Sequence, residues 1–152
     1  MKLTDHLTAA LIKVPLSAAD KTQAITELVD LLTAQGCTRA RDRLLAAVLQ
    51  REAQRSTGIG RGFAIPHAKC DAVDRLVIAF GRAPRPLDFD AFDGQSVTLI
   101  ALLASPPNAT SVHIQALARL SRLVTTGTVM DALLAAKTAD EFYTIVAEND
   151  ID

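Results

Sequence analysis

Residues Arg55 to His67 read R-S-T-G-I-G-R-G-F-A-I-P-H. Gly58, Gly60 and Gly62 alternate with Ile59 and Arg61, and glycine admits positive φ, so this backbone can turn N–H groups toward an anion. A short apolar run follows, Phe63-Ala64-Ile65, and then Pro66 and His67. A glycine-rich loop, a strand, a proline and a histidine together predict one imidazole held at a strand end, beside an anion-friendly loop. His67 is therefore the residue to explain.

Familiar glycine motifs do not fit. A dinucleotide fingerprint needs G-x-G-x-x-G after a strand and opening a helix, whereas here the spacing is G-x-G-x-G and the strand comes after it. The G-K-S or G-K-T of a phosphate-binding P-loop is missing from the sequence. Ser56 lies between arginine and threonine, so there is no hydrolase elbow of the form G-x-S-x-G.

The chain has 152 residues and is 49% hydrophobic, the size and apolar content of one domain with one core. Only 4% is aromatic and Trp is absent, so the core is expected from Leu, Ile, Val and Ala. A net charge of −1 argues against a nucleic-acid partner, which calls for a basic excess. Charge is unevenly spread, however. Arg39 to Lys69 holds six Arg and one Lys against Asp42 and Glu52, a local balance of +5. Asp131 to Asp152 holds six acids against Lys137, a balance of −5. Most of these charges read as solvated helix faces, yet the basic excess surrounds the glycine loop. Cys37 and Cys70 form no C-x-x-C and are expected as reduced thiols. The polar N-terminus, M-K-L-T-D-H-L-T, lacks a signal peptide's apolar segment. No apolar stretch approaches the about 20 residues of a membrane helix, so the expectation is a cytoplasmic protein without membrane insertion.

Helical spacing places Ile25, Leu28, Val29 and Leu32 on one face of a helix from about Asp20 to Gln35, with Gly36 at its end. Leu44, Leu45, Val48 and Leu49 form the stripe of a second, over roughly Ala40 to Gln54. Leu76 to Phe80 reads as a strand, cut off from Leu87-Asp88-Phe89 by a loop at Ala83-Pro84-Arg85-Pro86. Val97 to Ala104 is almost wholly apolar, as a strand covered on both faces would be. After the loop Ser105-Pro106-Pro107-Asn108, a helix from about Thr110 to Thr126 is expected to bury Ile114, Leu117, Leu120 and Val124. A short helix follows at Val129 to Ala136, and Thr138-Ala139-Asp140-Glu141 is a capping box for the last one, with Phe142, Ile145 and Val146 inward. The predicted fold is α/β, a single domain over 1–152 with a mixed β-sheet flanked by helices on both faces.

Each candidate has a functional and a structural reading. A histidine such as His67 can be a packed core residue, but the proline before it and the glycine loop beside it favour chemistry. Ser56 and Thr57 can bond phosphate oxygens or cap the loop. Arg51, seven positions after Leu44, projects near the apolar stripe. It can pair with Glu52, snorkel to water, or aim planar donors at an anion. His113, near the start of its helix, can cap or pack, or can face the same anion where the helix dipole disfavours a protonated imidazole. His6 reads as a surface residue. A metal site at His67, Cys70 and Asp71 rests on H-x-x-C-D spacing alone, which is weak.

R-E-A-Q-R-S-T-G-I-G-R-G-F-A-I-P-H, from Arg51 to His67, resembles the active-site signature of the fructose/mannitol-type enzyme IIA domains of the phosphoenolpyruvate-dependent phosphotransferase system. F-D-A-F-D-G-Q from Phe89, the run V-T-L-I-A-L-L-A and the helix start V-H-I-Q-A-L look most like the nitrogen-regulatory branch. The resemblance implies that His67 is phosphorylated on Nε2 and that Arg51 and His113 face the phosphoryl group. It implies phosphate contacts from Ser56, Thr57, Gly58 and Gly60. Phe63 stands where the signature has an aliphatic residue, and Ala68 where it has glycine. The implied partners are an HPr-like phosphocarrier as donor and regulated targets such as transporters or sensor kinases. The implied chemistry needs no cofactor and no metal, because the donor is already activated. Two other functions stay open: a sugar-pathway IIA that passes phosphate to a IIB protein, and a binding module that transfers nothing.

Overall fold

The computed structural model describes residues 1–151. After two single-turn 3-10 segments, at Leu3–Asp5 and Ala9–Leu11, the elements in chain order are β1 (Ile12–Lys13), α1 (Lys21–Ala34), α2 (Arg41–Gln54), β2 (Gly58–Gly60), β3 (Phe63–Ala64), β4 (His67–Lys69), β5 (Val77–Leu87), β6 (Val97–Ser105), α3 (Thr110–Thr125), α4 (Val129–Ala135) and α5 (Ala139–Asn149).

The six strands form one mixed sheet in the order β1-β5-β6-β3-β2, with β4 also paired to β6. β5 runs antiparallel to β6, while β3 and β4 run parallel to it. Leu99 to Ala104 of β6 are all fully buried, which requires cover on both faces. Along β5, Phe80 packs its ring on Phe142 of α5 and Arg82 reaches α4, whereas Gly81 between them faces Leu16 on the other side. α1 and α2 pack together as a pair, and α4 packs against both α3 and α5. The α/β fold expected from the sequence is the fold observed.

Local signals set the helix ends. Asp20 caps α1 by accepting from the Gln23 N–H at 2.8 Å. Gly36, at φ +74°, ends it in a Schellman turn, with the Cys37 N–H on the Leu32 carbonyl at 2.9 Å. At α5, Thr138 accepts from the Glu141 N–H, but the Glu141 carboxylate reaches back to the Lys137 N–H rather than to Thr138. Ile145 is only half-buried there.

Three expectations need correction. The Pro84-Pro86 segment is not a loop between strands but part of β5, where the pairing with β6 shifts register between Arg82 and Leu87. Prolines lack the N–H that a regular ladder would use, and the irregular stretch tolerates them. Ile114 is 61% exposed, while His113, Ala116, Leu120, Leu123 and Val124 form the buried face of α3. His6 is half-buried, its Nδ1 3.1 Å from the Leu76 carbonyl.

Candidate active site

His67 opens β4, and its place follows from a break in one strand path. Phe63 lies opposite Leu99 and His67 opposite Leu103, so β3 and β4 keep one offset along β6. Between them Ile65 turns its N–H to the Thr57 carbonyl at 3.0 Å, and Pro66 has no N–H to give. The break interrupts the ladder without slipping its register. It leaves the Ile65 carbonyl 2.7 Å from His67 Nδ1. A carbonyl only accepts, so Nδ1 carries the proton and Nε2 carries the lone pair. Burial pushes the imidazole below its ordinary value; the Ile65 bond opposes this, Arg51 adds to it, and Glu52 opposes it. At neutral pH His67 is a neutral imidazole with its nucleophilic nitrogen defined.

His113 approaches from α3, its ring centroid 5.5 Å from that of His67 in an edge-to-face arrangement. It is 4% exposed and lies 2.6 Å, through Nδ1, from Ser105 Oγ. Burial, then the neighbouring His67 and Lys69, lower its pKa to about 4. His113 is thus an uncharged group at neutral pH. Arg51, at the end of α2, donates through Nη1 to the Arg55 carbonyl at 3.0 Å. It does not pair with Glu52, whose carboxylate is taken by Lys21 at 2.8 Å. His67, His113, Arg51 and Lys69 line one open cavity of about 510 Å³.

Ser56, Thr57 and Gly58 line an adjoining cavity of about 380 Å³, with Arg51, Arg55 and His67 on its wall. The two hydroxyls and the Thr57 and Gly58 N–H groups are already spent within the protein. The Thr57 N–H and hydroxyl both go to the buried Glu52 carboxylate. The Ser56 hydroxyl donates to the Phe89 carbonyl and accepts from the Gly58 N–H. Gly60 lines neither cavity; at φ +99° it lies against Asp93, whose carboxylate also takes the Arg61 N–H. In this structure the Thr57, Gly58 and Arg61 N–H groups brace the glycine loop rather than standing free. The Asp71 carboxylate pairs with Arg43, and among the described residues no three His, Cys, Asp or Glu side chains gather as a metal-holding group. Phe63 is fully buried within the sheet, and Ala68 is an ordinary strand residue opposite Ala104.

Two residues escaped the sequence reading. Glu52 continues the Leu44, Val48 spacing, so its place on the apolar stripe could have been read. Ser105 is the last residue of β6 rather than the first of a loop; a hydroxyl ending an otherwise apolar strand was its only signal.

Comparison with known proteins places this geometry. The family model described as "Phosphoenolpyruvate-dependent sugar phosphotransferase system, EIIA 2" matches residues 5–149. The chain belongs to the EIIA 2 family. It is 38% identical over 99% of its length to the fructose-specific EIIABC component of Bacillus subtilis, and it spans only 24% of that longer protein. It is 36% identical to a nitrogen regulatory protein of Bradyrhizobium diazoefficiens, over 97% of this chain and 95% of the other. The crystal structure of nitrogen regulatory protein IIA-Ntr from Neisseria meningitidis superposes with a TM-score of 0.87 at 30% identity, covering 93% of this chain and 97% of that one. The EIIA 2 family thus holds both sugar-specific and nitrogen-regulatory relatives of the chain, and family members act as phosphoryl-transfer components. Among the described residues, no helix is long and apolar enough to cross a membrane.

Proposed function

We propose that the protein is a phosphoryl carrier working through phosphohistidine at His67, with an HPr-like phosphoprotein as donor. The observation that carries this is the Nδ1–H bond to the Ile65 carbonyl, which leaves Nε2 as the nucleophile facing the cavity that holds Arg51 and His113. Nε2 gives its electron pair to phosphorus as the bond from phosphorus to the donor's nitrogen breaks, and that nitrogen keeps the bonding pair. Charge spreads over the equatorial oxygens, so positioning and electrostatics do most of the work. Arg51 supplies planar cationic donors to those oxygens, and His113 a neutral one. The positive charge arriving on the His67 ring is steadied by the Ile65 carbonyl at Nδ1. Ser56, Thr57 and Gly58 shape the wall beside the group, Gly60 braces that wall against Asp93 from behind, and neither a cofactor nor a metal enters.

The protein acts in the cytoplasm as a regulator of the nitrogen-regulatory branch, whose targets are proteins such as transporters or sensor kinases. The fold match to IIA-Ntr supports this branch. The identity to a fructose-specific component favours a second reading, in which phosphate passes to a IIB protein. Intact-protein mass spectrometry after incubation with phosphoenolpyruvate, enzyme I and an HPr-like carrier tests the carrier itself. One acid-labile phosphoryl group on the wild type and none on His67→Ala is expected; equal uptake by both refutes it. Transfer onward to a purified IIB separates the two branches.

A further inference from the structure

The two histidines meet different partners through Nδ1: the Ile65 carbonyl at His67 and the Ser105 hydroxyl at His113. Ser105 is fully buried at the end of β6, where its backbone is fixed by the Cys70 N–H on its carbonyl at 2.8 Å. Its Oγ lies 2.6 Å from His113 Nδ1, and among the described residues this is the hydroxyl's single hydrogen-bond partner.

A serine hydroxyl has one proton to place, and a neutral imidazole has one N–H. If Nδ1–H donated to Ser105, the serine proton would be buried without an acceptor, which is costly. If Ser105 donates to Nδ1, the serine proton has its acceptor and the His113 proton moves to Nε2. We propose that Ser105 is a positioning residue that holds His113 as its Nε2–H tautomer, aiming a neutral hydrogen-bond donor at the phosphoryl group on His67. Ile65 and Ser105 then act as a matched pair. A carbonyl makes one imidazole a nucleophile, and a hydroxyl makes its neighbour a donor. The low pKa of His113 fits this division, because a cationic ring would donate from both nitrogens and leave Ser105 nothing to accept its proton.

This inference rests on the phosphoryl-carrier reading for its purpose, but its first test does not depend on that reading. Long-range proton–nitrogen correlation spectra of the full nitrogen-15-labelled chain at pH 7.5, with His113→Gln assigning the signals, report which ring nitrogen is protonated. An unprotonated Nδ1 and a protonated Nε2 are expected at His113; a protonated Nδ1 overturns the proposal. In Ser105→Ala the Nε2–H population should fall, and an unchanged tautomer would again overturn it. Single-turnover phosphoryl uptake from an HPr-like donor should slow about tenfold in Ser105→Ala, the loss of one oriented hydrogen bond. In a His113→Gln background the same change should cost less than about twofold, since its effect runs through His113. Equal slowing in both backgrounds would mean that Ser105 acts structurally, against the proposal. A wild type that takes up no phosphoryl group would refute the carrier reading while the nitrogen shifts still decide the role of Ser105.

Discussion

Replacing Glu52 by Gln would test whether the wall of the site is braced as described. Glu52 is 5% exposed, and its carboxylate takes the Thr57 N–H at 2.9 Å, the Thr57 hydroxyl, and Lys21 Nζ at 2.8 Å. A glutamine keeps the shape and one acceptor oxygen but loses the charge. Hydrogen bonds to a charged partner contribute about 1.5–3 kcal/mol, against about 0.5–1.5 for neutral ones. The two Thr57 bonds together should therefore lose about 2 kcal/mol. Lys21 keeps the Phe89 carbonyl at 3.4 Å and the Phe89 ring, 5.3 Å from Nζ, as partners, and that loss counts the Thr57 bonds alone. For a chain of 152 residues, about 2 kcal/mol corresponds to a fall in Tm of roughly 4–8 °C. Thermal unfolding followed by circular dichroism would read this directly. A double-mutant cycle with Thr57→Val should give a coupling of about 1 kcal/mol between the two positions. A Tm within about 1 °C of wild type, or losses that simply add, would refute the bracing.

The low pKa of His113 has a consequence for stability. A histidine held neutral in the folded state, at about 4 against about 6.5 when unfolded, stabilises fully above the unfolded value and less as pH falls toward 4. Urea unfolding should show the wild type losing roughly 3 kcal/mol more than His113→Gln between pH 7 and pH 4, and parallel curves would contradict the assignment. Arg82 offers a test far from the site, because its Nη1 lies 2.6 Å from the Ala136 carbonyl and also reaches those of Leu133 and Leu134 at the end of α4. Arg82→Met should lower stability by about 2 kcal/mol and speed amide exchange selectively in Val129–Ala135.

What could be read from the sequence divides along physical lines. Local signals read well. Asp20 and Gly36 bound α1, Thr138 opens α5, and the almost wholly apolar run of β6 announces burial on both faces, because each of these depends on residues close in the chain. Non-local pairing did not read. Pro84 and Pro86 look like loop residues until β6 is present to carry β5 past them through a register shift. Leu120 and Val124 lie inward as expected, but at the start of α3 the stripe is shifted by one position, to His113 and Ala116, because His113 looks polar and Ile114 apolar. The helix turns the histidine inward since Ser105 and His67 wait there, and nothing within the helix encodes them. At the site, His67 stood out through Pro66 and the glycines. Around the same glycines, Glu52, Phe89 and Asp93 take hydrogen bonds from Thr57, Ser56 and Arg61, partners that lie outside the loop and that its local sequence does not encode.

His67 belongs to a strand, not to a loop, and its backbone is laced to β6 on the same offset as β3. A group attached at Nε2 therefore has little backbone to displace. The unmodified and modified proteins should share one scaffold and differ in the charge displayed at a fixed spot. A partner that tells the two apart would do so by electrostatic fit at that spot, so the signal would be written in surface potential and would fade as salt is raised.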